Sequence, residues 1–126
     1  MNIQFIFSNI TEKQKEDIRE YSARRFGRLE KFLTTFSEDS KNLKVKAEYY
    51  ERHNAFKITC ALQLGGKTIH HDEIKHDARE TIDLVESNLV HQTKKYLEQL
   101  QEKNSANKKN EKITIEEIPD LNYDNI

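Results

Sequence analysis

Leu43-Lys44-Val45-Lys46-Ala47-Glu48-Tyr49-Tyr50, a break at Arg52-His53-Asn54, and Phe56-Lys57-Ile58-Thr59-Cys60-Ala61-Leu62-Gln63-Leu64-Gly65-Gly66 set the architecture of this chain. Both runs alternate with the period of a strand, in which successive side chains point to opposite faces. Leu43, Val45, Ala47 and Tyr49 share one face, as do Phe56, Ile58, Cys60, Leu62 and Leu64. Lys44, Lys46, Glu48, Tyr50, Lys57, Thr59, Ala61 and Gln63 take the other. Gly65-Gly66 is a two-residue hairpin signal. A further strand follows from Lys67 to about Lys75.

Upstream, Ile3, Phe5 and Phe7 alternate in a first strand over 2–7, and Ile6 between them predicts cover on both faces at that end. Thr11 with Gln14 three residues later forms a capping-box pattern and opens a helix over 12–33. Gly27 inside it costs about 1 kcal/mol relative to Ala unless it permits close approach to the sheet. Downstream, Asp77 caps a second helix reaching Leu100 to Lys103, with the stripe Ala78, Ile82, Val85, Leu89, Tyr96, Leu97 and Leu100. The order is β-α-β-β-β-α, an α+β fold. A right-handed crossover makes the first two strands parallel. The four-stranded sheet has both helices packed on one face, and its other face is open. Residues 1–104 form the domain, and 105–126 a flexible acidic C-terminal tail.

The first helix carries the strongest functional signal. Arg24, Arg28 and Lys31 fall at i, i+4 and i+7 and stack on one flank, with Arg19 and Arg25 on other azimuths. The apolar stripe of Ile18, Tyr21, Phe26, Leu29, Phe32 and Leu33 packs on the sheet beside them. Guanidinium groups match phosphate oxygens in geometry and charge, so this flank points to RNA. The net charge of −1 averages unlike parts. Residues 113–126 hold four acidic residues and no basic one, which leaves +3 on the rest.

Other classes lose ground. No run of about 18 apolar residues exists to span a membrane, and Met1-Asn2-Ile3-Gln4 does not open a secretory signal. Cys60, the single cysteine, excludes an internal disulfide and suits a cytoplasmic protein as a buried small hydrophobe. His70 and His71 point to opposite faces of a strand, so with His76, Asp72 and Glu73 they read as edge and loop residues, not as metal ligands. No nucleophile–acid–base set has recognisable spacing. No catalytic residue, cofactor, membrane or small-molecule substrate is expected.

Three strings in order resemble the ribosome hibernation-promoting factor family, also called ribosome-associated inhibitor or sigma-54 modulation proteins. They are Arg28-Leu29-Glu30-Lys31-Phe32, Gly65-Gly66-Lys67-Thr68-Ile69-His70 and Asp77-Ala78-Arg79-Glu80-Thr81-Ile82-Asp83. The resemblance covers roughly residues 1–104 and is to the short forms, which lack the dimerisation domain that pairs ribosomes. It implies a fold similar to the double-stranded-RNA-binding domain. It also implies a non-enzymatic factor that binds the small ribosomal subunit in the decoding and messenger channel, contacts ribosomal RNA and inhibits translation under stress or in stationary phase. Off the ribosome the chain is expected to be a monomer.

Carried over by position, Arg19, Arg25 and Arg28 match basic positions of the first helix, and Lys95 matches one in the second, with Lys94 beside it. Asn88 and His91 stand where the family has Lys and Arg, Arg79 where an aromatic is common and Ser22 where an aliphatic is common. The expected RNA-binding set is therefore Arg19, Arg24, Arg25, Arg28, Lys31, His91, Lys94 and Lys95. The alternatives are a protein-interaction module regulating a transcription factor, which the older family name implies, and a small enzyme, which no clustered residues support.

Overall fold

The computed structural model describes residues 1–109, with side chains through Gln101. Its elements are β1 (Asn2–Ser8), α1 (Glu12–Glu30), β2 (Lys41–Tyr50), β3 (Ala55–Leu64), β4 (Lys67–Lys75) and α2 (Ala78–Lys109). Contacts divide the chain into Met1–Val90 and a second unit that begins at His91.

In the first unit the sheet order is β1-β2-β3-β4. The α1 crossover lays β1 parallel to β2, with Ile3 opposite Leu43 and Phe7 opposite Ala47. The two hairpins make the remaining pairs antiparallel, with Val45 opposite Cys60 and Cys60 opposite His71. Gly65 takes φ +61 in the second hairpin, where a side chain would be strained. Asn54, left-handed at φ 46, closes the first; its Oδ1 accepts the Tyr49 hydroxyl at 2.7 Å.

Alternation along the strands sends one set of side chains under the helices. Leu43, Val45, Ala47, Ile58, Cys60, Leu62 and Leu64 are buried there against Ile18, Phe26 and Leu29 of α1 and Ile82, Val85 and Leu89 of α2. Burial pushes the Cys60 thiol up to about 12, so it remains a protonated hydrophobe. Ile6 is 44% exposed on the open face, so the expected cover on both sides of β1 is absent. Lys44 and Lys46 flank it across the parallel pair, and no second layer lies there among the described residues.

Caps formed where their residues stand. The Thr11 hydroxyl accepts the Gln14 N–H at 3.1 Å while the Gln14 side chain accepts the Thr11 N–H at 2.9 Å. Asp77 accepts the Glu80 N–H at 2.9 Å. α1 ends at Glu30, three residues short of the expected Leu33, because the chain tightens into i→i+3 turns: Phe32 N–H to Leu29 at 3.0 Å and Leu33 N–H to Glu30 at 3.0 Å. Leu33 stays buried through this turn. α2 passes its expected end and runs through Lys109, since no Gly or Pro interrupts 78–109. Residues 110–126, which include Ile113–Ile118 and the acidic stretch, lie outside the described residues.

Two positions in α1 lower stability locally. A Cβ at Gly27 would meet nothing within 4 Å, so the glycine serves no close approach and only weakens the helix. The Ser22 hydroxyl is buried with no hydrogen-bond partner among the described residues. Gly27→Ala and Ser22→Ala are each expected to raise unfolding free energy by about 1 kcal/mol. Urea denaturation checks this as a higher midpoint at unchanged slope.

Candidate nucleic-acid interface

α1 and the first turns of α2 run side by side in the same direction and meet along a polar seam. Arg79 Nε donates to Asp17 at 3.2 Å, the Tyr21 hydroxyl donates to Asp83 at 2.6 Å, and Arg25 Nε lies 2.9 Å from Asp83. Arg25 Nη2 reaches Glu86 Oε1 at 3.3 Å, and Arg28 Nε lies 3.1 Å from Glu86 Oε2. Side chains four and three apart on each helix thus pair rung by rung. Glu86 is wholly buried at 0% exposure.

Ionisation follows this seam. The hydrogen bond to Asp83 raises the Tyr21 phenol above its usual value. The Arg79 guanidinium holds the Asp17 carboxyl below its ordinary 3.8 and is itself held charged. A carboxyl lowered in the folded state stabilises the fold above its unfolded value and stops doing so as pH falls through the folded value. Asp17→Asn is therefore expected to leave a smaller loss of stability below pH 3.8 than the parent shows. Thermal melts from pH 5 downward at low salt would show it. High salt would shrink the difference, since both groups are substantially exposed.

The expected RNA-binding residues divide into groups. Arg24 is exposed on the α1 flank, Arg28, on the same flank, is 54% exposed, and Lys31 is exposed at the C-cap just past the helix. Arg24 lies 5.6 Å from the centre of the Tyr21 ring, which Arg79 approaches to 4.9 Å. Arg19 is exposed on another azimuth, 5.1 Å from the Phe7 ring. Arg25 instead lies half-buried in the seam between Asp83 and Glu86. His91, Lys94 and Lys95 are exposed on α2 in the second unit, where helical spacing puts His91 beside both lysines. Arg24, Arg28 and Lys31 are thus all exposed, the last at the helical C-cap, with Arg28 also against Glu86, whereas Arg25 is engaged within the protein.

Sequence reasoning missed Asp83 and Glu86 as partners. The available signal was Glu86 itself, an acid between Val85 and Leu89 in the α2 stripe, where a charge needs a partner.

The open sheet face is polar, with Gln4, Asn42, Lys44, Gln63 and Thr68 around the small Ala61. Its large apolar exposures are Ile6, Tyr50 (37%) and Ile74 (53%), of which Ile6 and Ile74 sit on opposite edge strands and Tyr50 at the end of the inner strand β2. Among the described residues no group of His, Cys, Asp or Glu is arranged to hold a metal. His71, on the helix-covered face, instead pairs with Glu73 at 2.6 Å.

A family model described as Sigma 54 modulation protein / S30EA ribosomal protein matches residues 3–101. The chain belongs to this family. S30EA-family proteins are ribosome-associated modulation factors, not enzymes. The S30EA-family chain also shares its fold with a ribosomal subunit interface protein from Coxiella burnetii: TM-score 0.56 at 20% identity, covering 76% of this chain and 97% of that one. The N-terminal domain of Protein Y from Thermus thermophilus is similar as well, with TM-score 0.59 at 22% identity, over 76% of this chain and 99% of that domain. No curated protein sequence matches this one.

Proposed function

We propose that this protein is a cytoplasmic ribosome hibernation factor. It binds the small subunit in the decoding and messenger channel and inhibits translation in stressed or stationary cells. The observation that carries the reading is the exposed cationic set Arg24, Arg28 and Lys31 along α1 and its C-cap in an S30EA-family fold.

Each cation that meets a phosphate releases counterions, so binding is salt-sensitive and fixes position without reading sequence. Folded RNA is recognised largely by shape, through phosphates and 2′-hydroxyls, which suits a rigid helix flank. Arg19 and the α2 cations Lys94 and Lys95 add contacts, with His91 a weaker one. Inhibition is steric: the folded domain, a monomer off the ribosome, fills space that messenger and transfer RNA require, and no cofactor takes part.

Competition tests the channel. Added protein is expected to displace labelled messenger from small subunits and to lower output of a cell-free translation reaction in proportion. Saturable binding that leaves messenger bound would contradict the location. The family description also names sigma 54 modulation, which favours a second reading as a regulator of a transcription factor. A pull-down dominated by polymerase components and insensitive to salt would support that instead.

A further inference from the structure

We propose that Glu86 is a built-in brake on RNA affinity, cancelling the charge of Arg25 and Arg28 from inside the fold. The inference rests on the RNA-binding reading above and names the residue that tunes that surface.

A fully buried carboxylate persists only when its oxygens are satisfied by cations or hydrogen bonds. Glu86 Oε1 accepts a hydrogen bond from Arg25 Nη2 at 3.3 Å, and Oε2, which has no hydrogen-bond partner among the described residues, is met by charge alone from Arg28 Nε at 3.1 Å. Asp83 holds Arg25 from the other side at 2.9 Å. Two cations and two anions therefore share one cluster of zero net charge. Arg24 and Lys31, exposed on the same flank, have neither of these carboxylates beside them.

Arg28 lies at the boundary between the cluster and solvent. Its side chain is half exposed, yet its Nε touches a buried anion. A phosphate that docks on Arg28 meets the Glu86 charge across a single guanidinium group, and salt screens a buried charge poorly. Arg25 has its guanidinium divided between two carboxylates and contributes little field to an approaching polyanion. Glu86 also orders Arg28, and ordering alone would favour binding. The two roles have opposite signs, so removal of the charge separates them.

The test is co-sedimentation with purified small ribosomal subunits at stepped salt, using wild-type protein, Glu86→Gln and the reference variant R24E/K31E. Glu86→Gln keeps shape and an acceptor oxygen while removing the charge. It is expected to bind about tenfold tighter at low salt, with a slope of log affinity against log salt steeper by about 0.9. A purely structural role would not steepen that slope. Denaturation in parallel establishes folding; if Glu86→Gln loses its cooperative transition, Glu86→Met provides the same comparison. Unchanged or weaker binding by a folded variant, beside salt-sensitive wild-type binding and loss in R24E/K31E, overturns the brake and leaves the interface standing. Absence of wild-type binding at low salt overturns both.

Discussion

Reversing Arg24 and Lys31 together to glutamate is expected to weaken binding to the small subunit by on the order of 100-fold at low salt, with the fold intact. Arg24 is exposed on α1 and Lys31 at its C-cap, and neither shares the Asp83–Glu86 cluster. Each lost phosphate contact removes about 0.9 from the magnitude of the salt slope, so the double variant is flatter by about 1.8. Reversal adds repulsion to that loss. Sedimentation with small subunits measures the affinity, and an unchanged thermal midpoint establishes that no structure was lost. Full binding by the folded double variant would remove the α1 flank from the interface.

The same substitution one residue further along α1 has a different consequence. Arg25→Glu places a carboxylate against Asp83 and the fully buried Glu86, leaving Glu86 to Arg28 alone. Breaking a buried ion pair costs about 3–5 kcal/mol, a large part of a small domain's stability. The expected result is a markedly lower denaturation midpoint, and loss of ribosome binding in that variant would follow from unfolding. Wild-type stability in Arg25→Glu would mean that the seam does not hold the helices together. Adjacent arginines thus separate by environment: Arg24 at the surface, Arg25 within the seam.

This contrast marks what the sequence conveyed and what it did not. The strands were legible because Leu43–Tyr50 and Phe56–Leu64 alternate cleanly and Gly65-Gly66 supplies a backbone conformation that few residues adopt. Thr11 with Gln14, and Asp77, announced their helices through local bonds spanning three residues. Local patterns read well because both partners lie in one window. Ile6 misled because an apolar residue on an open face breaks the pattern without being covered. The seam was not legible, since Arg25 and Glu86 stand 61 residues apart and meet only once the crossover and hairpins bring the helices side by side. Helical spacing identified the row Arg24–Arg28–Lys31, but it carries no information on which arginine a second helix will neutralise. The strings Arg28–Phe32, Gly65–His70 and Asp77–Asp83 carried the family resemblance, and the match over residues 3–101 bears it out.

Co-sedimentation of the wild-type protein with separated ribosomal subunits across a salt series tests most directly whether the exposed cations dock on ribosomal RNA. Binding led by the α1 cations is expected to be saturable on the small subunit, with log affinity falling linearly as log salt rises. No binding at low salt, or binding indifferent to salt, would contradict that docking.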